Sequence, residues 1–169
     1  MFEALKRFIA DISDQPRAND FADDDYRLAA VALLVHVANV DGSIDRQECS
    51  RLRSLIEERF GLNAEATTRL IQKAEASDRE AVDFYHFTSV LKRALDENGR
   101  LKILEMMWDI AFADGAVQEF EENVVARVAE LLGIAPRDRL LSRQRVASEA
   151  AAAEPIPSGP WTSLAGSKT

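Results

Sequence analysis

From Arg17 to Ala135 the chain contains no proline, and apolar residues return every three or four positions. That spacing places them on one stripe of a helix. Phe2, Leu5, Ile9 and Ile12 make such a stripe over residues 2–13. After an acidic loop at 14–23, the stretch from about Asp24 to Val40 is apolar almost all round, which predicts a central helix. Residues 46–60 and 64–76 read as the next two helices, with Asn63 as a cap for the second. Ser77, Asp78 and Asp83 compete to start a helix running to about Asp96. Gly99 to Ala113 is again apolar nearly all round and carries Met106, Met107 and Trp108 as core filling. Residues 119–132 follow, with Phe120, Val124, Val128 and Leu131 as their stripe. Pro136 is placed to open a last helix to about Ala153.

Glycine supplies the punctuation. Gly42, Gly61, Gly99, Gly115 and Gly133 each follow a helical stretch, where a left-handed terminal residue is wanted. Alternating β-branched runs and Asn-Gly hairpin signals are absent. The expectation is an all-α bundle of about seven to eight helices. It is divided into an N-terminal amphipathic helix and acidic loop (1–23), a helical domain (24–153) and a C-terminal tail (154–169) rich in Pro, Gly and Ser.

The chain also repeats itself. Asp114 minus Asp41 is 73 residues, and the same offset pairs Ala38 with Ala111, Gly42 with Gly115, Ile44 with Val117, Glu48 with Glu121 and Leu55 with Val128. Each copy is an apolar helix, an Asp-Gly turn and an amphipathic helix ending in Gly and an aliphatic residue. Such hairpins cannot bury their apolar faces alone, so two of them are expected to pack as an internally duplicated bundle.

Composition narrows the function. At 169 residues with 47% hydrophobic side chains, the chain is long enough for one well-packed core. A net charge of −8 opposes nucleic-acid binding, which needs a basic footprint. Residues 135–169 carry five Lys/Arg and three Asp/Glu, so the remainder is more acidic still and suits a cation or a basic partner. Cys49 is the only cysteine, which excludes a disulfide framework. It falls on the stripe Cys49–Leu52–Ile56 and reads as inert core. The start of the chain has no signal-peptide pattern, and the longest apolar run, Leu28–Val35, is too short to span a bilayer. A cytoplasmic protein that is not transmembrane is expected.

The candidate chemistry lies in the two turns, "VANVDGSIDRQE" (Val37–Glu48) and "IAFADGAVQEFE" (Ile110–Glu121). A calcium loop places oxygen ligands at positions 1, 3, 5, 7, 9 and 12 around a Gly at 6. With Gly42 at 6, Asp41, Asp45 and Glu48 fall on 5, 9 and 12, but position 1 is Val37. In the second copy Asp114 and Glu121 hold 5 and 12, but Ile110 and Phe112 hold 1 and 3. Neither is a competent EF-hand. Asp41, Asp45, Glu48, Asp114 and Glu121 are therefore candidate ligands for a weakly held divalent cation, calcium or magnesium. The competing reading is structural. Asp45-Arg46-Gln47-Glu48 is a capping-box pattern, and the glycines end helices. Gln118 is a poor cap, so copy two is less well explained this way.

These two turns, with "VDFYHFTSVLKRALDENGRLKILEMMWDIAFADG" and "EENVVARVAELLGI", resemble the TerB-like family of tellurite-resistance relatives over about residues 25–145. The resemblance implies an all-helical duplicated fold, an acidic surface suspected of metal binding, and a link to tellurite and general stress responses. Related domains are fused to chaperone-type or membrane-associated modules. By motif, Asp41, Gly42 and Glu48 match the family's first turn, and Asp114, Gly115 and Glu121 its second. No nucleophile–base constellation or phosphate loop can be read, so the expectation is a non-enzymatic module. Its unidentified protein partner is basic or membrane-associated, and the alternative is a pure protein–protein adaptor whose turns are structural. His36 lies 73 residues before Asp109, which makes a ligand pair conceivable, although a satisfied boundary histidine is the commoner arrangement. His86 reads as a core-edge residue, and the basic run Arg137–Arg145 as a solvated helix face.

Overall fold

Leu28 to Ala38 is almost wholly apolar, and a helix with no polar face is stable only when surrounded on all sides. In the computed structural model, which describes residues 21–153 except 41, 43 and 114, this segment is the central helix α1, Tyr26–Asn39. Around it follow α2 (Arg46–Phe60), α3 (Ala64–Glu80), α4 (Tyr85–Ala94), α5 (Glu97–Ala111), α6 (Glu119–Leu131) and α7 (Pro136–Ala153). No strand occurs among the described residues. The expected helix at 2–13 and the tail from 154 lie outside them.

The duplication is visible in burial. The buried positions of α5 are Ile103, Leu104, Met106, Met107, Trp108, Ile110 and Ala111. Their counterparts 73 residues earlier, Ala30, Val31, Leu33, Leu34, Val35, Val37 and Ala38, are all buried in α1. Glu48, Leu52, Leu55 and Ile56 of α2 recur as Glu121, Val125, Val128 and Ala129 of α6. The repeat also extends one helix further than the sequence shows. Gly133 minus Gly61 is 72, one residue having been lost near the end of α6, and at that offset Ala64 of α3 falls on Pro136 of α7. Buried Leu70 and Ala74 then match buried Ser142 and Val146. Packing follows the same rule. α1 lies along α3 as α5 lies along α7, α1 and α5 pack together at the centre, and α4 bridges the copies by resting on α1 and α6.

Four of the five glycines do what was expected. Gly42, Gly61, Gly115 and Gly133 have φ of 89°, 63°, 96° and 72°, a region that costs a side chain steric energy. Gly99 differs. Asp96 caps α5 by accepting the Gly99 N–H at 2.8 Å, so this glycine lies inside the first helical turn. The helix expected to start near Ser77 or Asp78 is also corrected: α3 runs through both to Glu80, and Asp83 accepts the Tyr85 N–H at 2.9 Å at the next start.

Two expected core residues are on the surface. Cys49 is exposed, and Phe120 keeps 66% of its area in solvent. In both copies the inward place next to the exposed residue is taken by a glutamate: Glu48 and Glu121, in the first turns of α2 and α6, are 3% exposed, while Leu52, Ile56 and Val128 of the expected stripes stay buried. His86 is likewise exposed.

The entry to α1 carries a charge-dependent cap. Asp25 accepts the Arg27 N–H at 2.9 Å and the Arg27 guanidinium at 3.1 and 2.7 Å, and that guanidinium also lies 4.7 Å over the Phe21 ring. The side-chain bond from Arg27 holds the Asp25 carboxyl below its ordinary value of 3.8. A lowered folded pKa stabilises the protein above the unfolded value, and this contribution disappears as pH falls through the folded value. Asp25→Asn keeps a good cap but removes the charge. We expect the variant to melt below wild type at pH 6, with the gap closing as pH falls below 3.8. A gap that persists in acid would show that the ion pair is not its source.

Candidate functional site

Each Asp-Gly turn joins a central helix to an amphipathic one, and each ends in a hooked glutamate. In the first, Asp45 precedes α2. Its side chain accepts the Glu48 N–H at 2.8 Å, while its own N–H donates to Glu48 Oε2 at 3.0 Å. This is the reciprocal capping box. In the second, the Gln118 N–H donates to Glu121 Oε2 at 2.8 Å. The glutamate therefore keeps its hook even where glutamine replaces aspartate. It does so because the free N–H at the helix start needs an acceptor whatever side chain precedes it.

Of the five candidate ligands, Asp45 and Glu48 are brought together, and Glu121 holds the matching place in the second turn. Asp41 and Asp114 lie outside the described residues. The start of α2 and the second turn share one end of the bundle. Gln47 and Arg51 of α2 line a groove of about 680 Å³ with Asp109, Phe112 and Gly115. Among the described residues no group of three or more His, Cys, Asp or Glu is placed to hold a metal ion.

The structure adds an ion pair that the sequence did not reveal. Arg51 Nε and Nη2 donate to Asp109 Oδ1 and Oδ2 at 2.9 and 2.7 Å, a two-pronged bond joining α2 to α5 across the copies. Asp109 in turn raises the Arg51 pKa. The suggested His36–Asp109 pair does not form. His36 Nδ1 instead lies 2.8 Å from Asp78 Oδ1 on α3, with its ring edge-on to Phe84 at 4.7 Å. These residues are 42 and 58 positions apart, beyond any local pattern. Together with Arg127 and Leu131 of α6 and the Ala81–Tyr85 corner, the His36–Asp78 pair lines a second cleft, of about 420 Å³. At its mouth Val82 is fully exposed, and Tyr85 keeps 68% of its area in solvent.

Much of the basic run on α7 is held internally. Arg143 lies 5.6 Å from the centroids of both Trp108 and Phe112 and 3.4 Å from Glu122, and Arg145 reaches Glu105 at 3.0 Å. A solvated helix face therefore describes only part of that run.

Capping and cation binding make different demands on the buried glutamates. Amide nitrogen and oxygen fill the same box, so Glu48→Gln is expected to change stability by less than ~0.5 kcal/mol. Glu48→Ala, which removes the acceptor from the Asp45 N–H, should cost about 1–2 kcal/mol, read from the urea midpoint. If E48Q lost as much as E48A, the negative charge itself would be required and the capping account would fail.

The family described as Tellurite resistance protein TerB matches residues 27–144, a span covering both turns and both central helices. Co-chaperone protein DjlA of Vibrio parahaemolyticus serotype O3:K6 (strain RIMD 2210633) is 29% identical over 130 residues. The match takes in 73% of this chain and 45% of that protein, so the chain spans less than half of the relative's length. No solved structure matches the chain. With both Asp-Gly turns and their hooked glutamates inside a matched span that covers most of the chain, the protein belongs to the TerB family.

Proposed function

We propose that this chain is a non-enzymatic TerB module that binds a protein partner in a stress response, with its Asp-Gly turns serving as structural joints. The observation that carries this reading is the Ala81–Tyr85 corner. Val82 and Tyr85 stand at the mouth of a cleft floored by the His36–Asp78 pair, and neither is needed for the core. Adjacent exposed apolar side chains beside a concave, partly polar surface favour protein contact. Similarity to a protein named as a co-chaperone supports the same class of role. The acidic body of the module favours a basic or membrane-associated partner.

Removing the two exposed side chains should cost the fold little, because burial contributes nothing at full exposure. Val82→Ser with Tyr85→Ser is therefore expected to leave the melting temperature within a degree or two. It should lower partner recovery from native lysate at least about tenfold, the effect of losing one hot-spot contact. Equal recovery by wild type and variant, measured by quantitative mass spectrometry, would remove this surface from consideration.

A second reading treats the turns as a weak divalent-cation site formed by Asp41, Asp45, Glu48, Asp114 and Glu121. Two carboxylates drawn to matching buried places in the two turns of an acidic chain favour it. A ligand that binds only the native state must raise the melting temperature. With Val37 at the first loop position, the expected affinity for calcium or magnesium is no tighter than ~10⁻⁴ M. On this reading, millimolar ion raises the melting temperature of wild type, while E48Q and E121Q respond less and E48Q least. An unchanged wild-type melting temperature would leave the turns as joints alone. A tellurite role, suggested by the family's name, predicts that loss of the protein lowers the tellurite concentration its host survives.

A further inference from the structure

Ala81, Val82 and Asp83 line the cleft of His36 and Asp78, and they also line a further cleft of about 380 Å³, so the corner is a ridge between two hollows. The floor of the further cleft is apolar. Leu28, Ala29 and Phe87 form it, none more than 4% exposed. Its rim is acidic, with Asp23, Glu80 and Asp83 exposed beside His86, and no lysine or arginine lines it among the described residues.

The nearby cations are directed elsewhere or leave room. Lys73 reaches Asp23 at 3.1 Å, but that carboxylate keeps 94% of its area in solvent and stays open to a second cation. Arg79 donates back to the Glu75 carbonyl at 3.2 Å. Glu80 and Asp83 have no cationic side chain within ion-pair reach among the described residues. Glu80 also ends α3, where the helix carbonyls concentrate negative charge and a cation is favoured.

An apolar floor under a carboxylate rim discriminates among ligands. A bare ion gains nothing from the floor, and an anionic lipid surface is repelled by the rim. A lysine or arginine side chain uses both, because its methylene stem lies along apolar surface while its charged head stays in water. Across the ridge Val82 and Tyr85 offer apolar contact, and the cation on that side, Arg127, is held by Glu130 at 2.9 Å. The cationic and apolar parts of a ligand are thereby directed to opposite sides of the corner.

We propose that the partner protein docks here a segment carrying a lysine or arginine beside an apolar side chain. The cation enters the cleft rimmed by Asp23, Glu80 and Asp83, and the apolar group rests on Val82 and Tyr85. This rests on the reading of the Ala81–Tyr85 corner as a partner surface and adds the chemistry that the surface takes.

The test titrates three Gly-Ser-based peptides into the isotope-labelled full-length chain at low salt, followed by NMR. One peptide bears leucines and lysines, one leucines and glutamates, and one lysines alone. The first is expected to shift the amide signals of Glu80, Val82, Asp83 and His86, and the other two to bind at least about tenfold more weakly, having lost the charge match or the apolar anchor. Glu80→Gln with Asp83→Asn keeps an acceptor for the Tyr85 N–H and should weaken the first peptide about three- to tenfold, as should added salt. The proposal is overturned if the leucine–glutamate peptide binds as well as the first. It is also overturned if E80Q/D83N binds like wild type while Val82→Ser with Tyr85→Ser does not, a result that would leave the partner surface standing without its basic requirement. Vesicles of phosphatidylcholine and phosphatidylserine that move the same signals would overturn it in favour of a membrane. So would contacts from residues 1–20 or, revealed by dilution, from a second copy already filling the cleft. The partner-surface reading fails separately, if Val82→Ser with Tyr85→Ser recovers the same proteins from lysate as wild type.

Discussion

Two largely buried helices set the terms for this protein. α1 buries nearly its whole circumference and α5 all but the stripe of Lys102, Glu105 and Asp109, and the solution is to pack them against one another at the centre. Every other element covers what these two leave open: α3 along α1, α7 along α5, and α2, α6 and α4 over the remaining sides. A fully buried leucine here, such as Leu33 or Leu104 at 0% exposure, stabilises the fold by about 2–5 kcal/mol as measured by its loss. An exposed ion pair, by comparison, contributes about 0–1 kcal/mol.

The hooked glutamates are the joints that let a central helix hand over to a covering one. By folding back on the N–H of the residue before the helix, Glu48 and Glu121 satisfy one of the free donors at the helix start. They take the inward place at the start of α2 and α6, and Cys49 and Phe120 beside them are in solvent.

Charge ties the helices together, once across the copies and otherwise within copy two. Arg51 grips Asp109 across the duplication, and Arg143 links α7 to the Trp108 and Phe112 rings of α5 and to Glu122 of α6. Arg100 donates to the Leu132 carbonyl at 2.9 Å, closing the end of α6 from α5. Several of the chain's cations are occupied within it, and a strongly acidic body remains for whatever it meets.

The sequence by itself determined the helices and the duplication, because both rest on short-range physics. Apolar spacing chooses the helix, positive-φ glycines at 42, 61, 115 and 133 end it, and proline marks where α7 begins. It also located the two turns and their glutamates, since a capping box is a pattern four residues long. The burial of Glu48 and Glu121 was out of reach, because a buried glutamate looks polar in any hydropathy pattern and its hook is seen only once the turn is formed. The partners of His36, Arg51 and Asp109 were hidden for a related reason. They lie tens of residues apart, and several carboxylates stood as equal candidates until packing set α3 beside α1 and α2 beside α5. Only the tertiary structure decided which charges meet and which clefts open, because those depend on distances between elements that no local spacing encodes.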